Sequence, residues 1–250
     1  MSDKPRIDWL HRLPGTPAVD REDTLVEAAR GKRVVHVGFV DEHLLETRIA
    51  TGTWLHGRLG AVADSLVGLD VAAEGVAWAR ENGYEAHVVD AQSPDAVRGL
   101  GLPSADVVIA GEVIEHLDAP GPFFRAMREL VGADGRLVVT TPNQANFLAW
   151  LVPVTGREAM HPDHMVAFSV RTLEAIGARN GWELERIVYY QHRSEPVRWT
   201  AGPGSLVQDL VLRLVRGTFT LLGRAGFPYW SDGLIATYRL AGAPGAAPAA

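Results

Sequence analysis

The stretch VVHVGFV, residues 34–40, decides the fold. An apolar run of this kind, ending in a turn at Gly38, has the pattern of a parallel strand covered on both faces. Nucleotide-binding α/β folds place their glycine-rich loop at such a turn. Here one glycine stands alone, with His36 and Phe39 where an acid and a small residue are expected. The stretch therefore fixes a strand and leaves open what its loop can hold.

Outward from this strand, short apolar runs alternate with helical patterns. Strands are expected at 33–38, 66–70, 85–90, 106–110 and 136–141, with helices near 49–63, 72–81 and 122–131. The runs lack polar alternation and follow β-α-β-α order, which predicts a doubly wound, mostly parallel α/β sheet with helices on both sides. After Thr141 comes a loop rich in Pro, Asn and His, to about Phe168. Ser169 is a candidate N-cap for a helix over 170–179, followed by a strand carrying Glu185, Arg186 and Tyr190. Leu206, Leu210, Leu214, Thr218 and Leu221 recur at helical spacing over 205–222, and 233–240 has the pattern of a last strand.

The 250 residues are 47% hydrophobic and 22% charged, with mean hydropathy near zero, an ordinary globular composition. A net charge of −6 argues against nucleic acid as the principal partner. Without cysteine there are no disulfides, thiolate metal sites or cysteine nucleophiles, in keeping with a cytoplasmic location. MSDKPRIDWLHRLPG lacks the apolar core of a signal peptide, no apolar run has membrane-spanning length, and AGAPGAAPAA has the composition of a disordered tail.

Open α/β sheets bind ligands beyond the carboxyl ends of their strands. Four expected strand ends carry suitable residues: Gly38, where the backbone can approach a ligand, then Asp70, Asp90 and Glu112. An acid at the second position can accept both hydroxyls of a ribose, and one at the third can accept from an amine such as adenine N6.

The series VVHVGFV, VGLDVAAEGVAWAR, HVVDAQ, DVVIAGEVIEHLDAPGPFF, GRLVVTTPN and HPDHMVAFSVRTLEAIGARNGWEL resembles class I S-adenosylmethionine-dependent methyltransferases, closest to those acting on small molecules and glycans. The resemblance implies a Rossmann-like sheet of seven strands with an antiparallel last strand. It also implies a cofactor site in which Gly38, with His36 and Phe39, lies against the methionine part. Asp70 and Val71 would hold the ribose side, Asp90 and Ala91 the adenine, and Glu112 the boundary between methionine and substrate. The departures are His36, where the family has an acid, and Val40, where it has a second glycine. The cofactor carries no phosphates, so these departures bear on affinity more than on location.

EVIEHL sets Glu112, Glu115 and His116 at i, i+3 and i+4, one face if helical, and HPDH adds His161 and His164. Two carboxylates and two imidazoles suit a divalent metal, and small-RNA 3′-terminal methyltransferases look similar here. The favoured reading assigns no metal, with Glu115 and His116 opening a helix and bonding its backbone. A hydroxyl acceptor also needs a base; His164 or His161 is the candidate, with His116 behind them. Trp54 and Leu55 read as helix core.

The expected layout is an N-terminal segment over 1–30, a methyltransferase domain over 31–240 that includes a substrate-side elaboration at about 142–232, and a tail over 241–250. The expected function is methyl transfer from S-adenosylmethionine to a small-molecule or glycan acceptor, at oxygen, with a homodimer possible. Two rivals stand beside it: a metal-assisted RNA 3′-end 2′-O-methyltransferase, and a non-catalytic scaffold with a degenerate cofactor loop.

Overall fold

A computed structural model describes residues 10–41, 44–191, 214, 217–223, 225 and 227–242. The eight strands among them are β1 (Val19–Asp20), β2 (Arg33–Val37), β3 (Ser65–Asp70), β4 (Glu85–Val88), β5 (Ala105–Gly111), β6 (Val131–Pro142), β7 (Trp182–Gln191) and β8 (Gly233–Leu240). They form one sheet in the order β1-β7-β8-β6-β5-β2-β3-β4. β8 runs antiparallel to both β6 and β7, and every other pairing is parallel. This is the doubly wound, Rossmann-like sheet expected from the strand pattern, with one more strand than the seven implied. The addition is β1, two residues long, too short to leave a hydrophobic pattern.

The helices are α1 (Arg21–Ala29), α2 (Leu45–Ala50), α3 (Leu55–Gly60), α4 (Ala73–Glu81), α5 (Pro94–Gly99), α6 (Pro120–Met127), α7 (Phe147–Leu151) and α8 (Val170–Arg179). On one sheet face Leu25 and Ala29 of α1 and Leu55 and Leu59 of α3 pack with Val34, Ile109 and Val138. On the other, Val97, Phe123, Phe124, Met127 and Leu173 pack with Val35, Val37, Val108 and Val139. Double coverage explains the unbroken apolar strands. No helix among the described residues is long and apolar enough to cross a membrane.

Local chemistry sets several boundaries. The helix expected over 49–63 divides into α2 and α3, because Gly52 takes a left-handed φ of +67° between them. The helix expected at 122–131 starts and stops earlier, with Pro120 at its first turn and Val131 already in β6. Ser169 caps α8 as expected: its hydroxyl accepts from Thr172 N at 3.3 Å while Thr172 Oγ1 accepts from Ser169 N at 2.8 Å. Trp54 and Leu55 are buried, Trp54 at the N-cap of α3. Of the helix expected over 205–222, 205–213 and 215–216 lie outside the described residues, as do 1–9 and 243–250; residues 214 and 217–223 are helical.

The loop after β2 is held by glycines far from it in sequence. Phe39 turns inward against His56 and Trp54, with ring centroids 4.5 and 6.3 Å away. A Cβ on Gly68 of β3 would stand 2.7 Å from the Phe39 ring. Val40 rests over Gly75 of α4, where a Cβ would stand 2.3 Å from Val40 Cγ1. The bulky residues of the loop thus fit because two glycines opposite them are empty.

His36 occupies the centre of β2, paired with Gly68 on one side and Ile109 on the other. Its Nδ1 lies 3.1 Å from Nδ1 of His56, and both rings are buried. Burial holds the His36 pKa well below the ordinary imidazole range, helped by the neighbouring His56 and Arg21, and burial takes His56 down to about 3. With both rings neutral, one donates its Nδ1 hydrogen to the other. The partner of His36 is therefore another imidazole ring.

Two outcomes follow. Gly75→Ala should lower stability by about 1–3 kcal/mol in urea titration, since Val40 is β-branched and cannot rotate away, although alanine ordinarily favours a helix. Val40→Ala in the same chain should restore most of the loss. Both histidines titrate lower folded than unfolded, so the unfolded chain binds more protons as pH falls. Their contribution is complete above about pH 6.5 and is lost on acidification. Between about pH 6.5 and pH 5 the His56→Gln chain should show a shallower loss, by a slope approaching about 1.4 kcal/mol per pH unit.

Candidate active site

Sequence order reverses between β2 and β5: β3 and β4 lie on one side of β2, and the chain then crosses to β5 on the other. Such a switch point splays the loops above it and opens a crevice at the carboxyl ends. Gly38 and Gly111 are those ends, and they border a small cleft with Arg21, His36, Phe39, Asp41, Arg48 and Leu55. Gly38 has φ +69°, and a Cβ there would stand 2.3 Å from Val113 Cγ2. Only glycine combines that backbone with that contact.

Arg48 Nη1 lies 3.2 Å from Asp41 Oδ2, and Arg21 borders the same cleft. Burial raises the Asp41 pKa, while Arg48 and then Arg21 oppose it. Two guanidinium groups beside one carboxylate match the carboxylate and ammonium of a free amino acid. The sequence reading missed all three residues. They sit in separate segments at no motif spacing, and α1 itself was unforeseen.

The next strand ends carry the expected acids. Asp70 is nearly buried; Oδ2 accepts from Val40 N at 2.8 Å and Oδ1 from Ala72 N at 3.0 Å, which ties the glycine loop to β3. A carboxylate is the acceptor type that ribose hydroxyls require. Val71 beside it is exposed. Asp90 lies two residues past β4, exposed, with Oδ1 accepting from Gln92 N at 2.8 Å, and Ala91 is buried. Phe39 offers the cleft little beyond its backbone, because its ring belongs to the core and its carbonyl accepts from Trp54 Nε1 at 3.0 Å.

Glu112 departs from the geometry expected of EVIEHL. Among the described residues it is the non-glycine residue with positive φ, +57°, and 114–116 form a short 3-10 turn. The three side chains therefore do not share a helical face. Glu112 Oε1 accepts from Thr140 Oγ1 at 2.8 Å and from Tyr190 OH at 2.7 Å, with Arg21 Nε at 3.7 Å. Arg21 Nε donates to Thr140 Oγ1 at 2.9 Å. Burial and then the Glu112 charge hold the Tyr190 hydroxyl well above the usual phenol range, so it stays a donor. Three side chains thus converge on a residue with a strained backbone, and such strain clusters at functional sites.

Glu115 points elsewhere. It is 1% exposed, and neither carboxylate oxygen has a hydrogen-bond partner. Burial and then Glu112 push its pKa up to about 8. The Thr141 hydroxyl eases this slightly, yet is itself without a full hydrogen bond. Glu115 and His116 lie in a three-residue 3-10 turn, where the sequence reading had them open a helix. The Glu115 carbonyl accepts from Met165 N at 2.7 Å and Val166 N at 3.1 Å, which draws the HPDH loop over the turn.

That tether assembles the three histidines. His116 and His164 have ring centroids 4.8 Å apart, His161 and His164 5.1 Å, and His116 and His161 6.4 Å. His116 Nδ1 lies 3.1 Å from the Asp163 carbonyl. A carbonyl only accepts, so Nδ1 carries the hydrogen and a neutral ring leaves Nε2 bare. Burial, then His116 and His161, lower the His164 pKa, which keeps that ring neutral at physiological pH. Ligand atoms of Glu115, His116 and His164 lie within 4.8 Å of one another.

Comparison with known proteins agrees with this architecture. A family model described as a methyltransferase domain matches residues 19–187. Ubiquinone biosynthesis O-methyltransferases from Sodalis glossinidius (strain morsitans) and Cronobacter sakazakii (strain ATCC BAA-894) are 32% and 30% identical over 131 and 132 residues, 51% of this chain in each case. The match covers 48% and 49% of those proteins, so the chain spans about half the length of the curated relatives it matches. A SAM-dependent methyltransferase from Archaeoglobus fulgidus superposes with a TM-score of 0.52 at 15% identity, covering 87% of this chain and 90% of that one. Magnesium protoporphyrin IX methyltransferase from Synechocystis PCC 6803, solved with bound SAH, gives 0.51 at 14% identity, covering 87% and 81%. The cleft at the switch point, its paired charges and the acids at successive strand ends fit S-adenosylmethionine, the cofactor of this fold family. The chain belongs to the methyltransferase-domain family of class I S-adenosylmethionine-dependent methyltransferases.

Proposed function

We propose that the chain transfers a methyl group from S-adenosylmethionine to a hydroxyl oxygen of a small acceptor, of the phenol or sugar class. The observation that carries this reading is the order of groups along the strand ends. Asp90 and Asp70 lie above β4 and β3, the Arg21–Asp41–Arg48 cleft above β2, and the histidine cluster beyond β5. Adenine, ribose and methionine laid along that line bring the sulfonium methyl toward Glu112 and the imidazoles. The curated relatives are named as O-methyltransferases, which supports oxygen as the acceptor atom. Leu148, Trp150, Met160 and Met165 are exposed along the loop after β6, which suits an acceptor with an apolar body.

Methyl transfer is an in-line displacement, so most of the rate comes from holding oxygen, carbon and sulfur in line. The acceptor oxygen forms a bond to the methyl carbon while the carbon–sulfur bond breaks and leaves its electron pair on sulfur. The hydroxyl proton passes to the imidazole cluster, in which His164 is neutral and able to accept it. Asp70 accepts from the ribose hydroxyls, Asp90 with Ala91 flanks the adenine, and Asp41 faces the ammonium in place of the missing acid at His36.

Calorimetry with S-adenosylhomocysteine tests the cofactor half directly. The wild-type chain should bind, and Arg48→Gln should weaken binding about tenfold, or about 1.4 kcal/mol. No binding at millimolar ligand would leave the non-catalytic scaffold as the correct reading. The acceptor half is tested by transfer of labelled methyl to a panel of phenols and sugars; replacing His161 and His164 together by alanine should lower kcat about 10²-fold, with S-adenosylhomocysteine affinity unchanged.

A further inference from the structure

Tyr190 is buried within the sheet, on β7 between its register partners Val19 of β1 and Gly233 of β8. A Cβ on Gly233 would collide with the Tyr190 ring, so the absent side chain lets the ring lean across β8. The hydroxyl then reaches Glu112 at the end of β5, two strands beyond β8. The short strand β1 serves the same point. Its Val19 pairs with Tyr190, and Asp20 caps α1 by accepting from Asp23 N at 2.9 Å, which starts the helix at Arg21. The guanidinium carbon of Arg21 stands 5.9 Å from the Tyr190 ring centroid. A Cβ on Gly111, which lines the cleft, would stand 2.5 Å from Arg21 Nη2. Two glycine positions thus admit a phenol ring and a guanidinium to one corner of the cleft. The family match ends at residue 187, so Tyr190 and Gly233 lie beyond it.

The hydrogen bonds decide what this corner does. Glu112 Oε1 accepts from Tyr190 OH at 2.7 Å and from Thr140 Oγ1 at 2.8 Å. Arg21 Nε donates to Thr140 Oγ1 at 2.9 Å and stays 3.7 Å from Glu112 Oε1. A carboxylate beside a guanidinium ordinarily takes it in a two-pronged pair. Here hydroxyl donors occupy Oε1, and the guanidinium lies along Thr140 with Nη2 over Gly111.

We propose that Tyr190 is a positioning residue for the amino-acid end of the cofactor: by holding Glu112, it keeps the Arg21 guanidinium in the cleft, available to the methionine carboxylate. The inference rests on the cofactor reading and deepens it, since a residue beyond the family match sets affinity for one end of the ligand. Without the phenol hydroxyl Glu112 loses a donor, and Arg21 is the cation beside it. The carboxylate then draws the guanidinium into a direct pair and away from the ligand.

Calorimetry with S-adenosylhomocysteine on single and double variants is the test. Tyr190→Phe keeps the ring over Gly233 and removes the hydroxyl; it should weaken binding about fivefold to tenfold, the range of one hydrogen bond to a charged group. Arg21→Gln should weaken binding as well, and adding Tyr190→Phe to it should cause no further loss, because the phenol acts through the guanidinium. A merely structural role would lower affinity by the same factor in both backgrounds. Tyr189→Phe removes a buried hydroxyl packed on the opposite face of the sheet and should bind as wild type. Thr140→Val removes the other hydroxyl on Glu112 Oε1 and should show a loss like that of Tyr190→Phe, which keeps the test valid if the tyrosine variant does not fold. Wild-type affinity in Tyr190→Phe or Thr140→Val overturns the proposal, as do equal factors in the two backgrounds or an equal loss in Tyr189→Phe. A wild-type chain that fails to bind removes the cofactor reading itself, whereas binding untouched by these variants leaves that reading standing and Tyr190 without the role.

Discussion

The carboxylate of Glu112 is the point on which the site depends. Its Oε1 gathers Thr140 from β6 and Tyr190 from β7, with Arg21 at the start of α1 closing the group. Three distant parts of the chain thereby meet at the carboxyl end of β5. A partly buried carboxylate so placed requires donors, and these side chains satisfy one another, since Thr140 both accepts from Arg21 and donates to Glu112. The left-handed backbone at Glu112 is the consequence. Glu115 and His116 beyond it face the loop after β6.

The opening loop accommodates bulky residues through glycines elsewhere in the fold. Phe39 and Val40 are too large for a loop that must lie close to a ligand, yet each sits over a glycine, Gly68 and Gly75. Volume removed from β3 and α4 appears in the loop, and packing density is preserved. His36 completes the exchange by stacking on His56 as a neutral pair inside the sheet face. The acid that borders this cleft is Asp41, paired with Arg48 and near Arg21.

The division of labour between carboxylates follows from burial and direction, not from residue type. Asp70 serves the loop backbone, Glu112 organises the strand ends, and Glu115 is withdrawn from water beside Glu112, Thr141 and two imidazoles. Periodicity marks all of them as acids near strand ends and cannot separate these roles.

Sequence alone determined the alternating order of strands and helices, the doubly wound class, the cap at Ser169 and the strand-end positions of Gly38, Asp70 and Asp90. These are legible because they depend on local periodicity and on what one residue type does at one backbone position. The extra strand β1, the broken helix around Gly52, the cleft of Arg21, Asp41 and Arg48, and the grouping of Glu115 with His116 and His164 were decided by tertiary structure. Each depends on contacts between segments that carry no shared spacing, and on a backbone turn at Glu112 that helical periodicity would have read the other way. The stretch at 34–40 shows both sides: its strand is written in its own valines, and its loop is held by glycines on another strand and another helix.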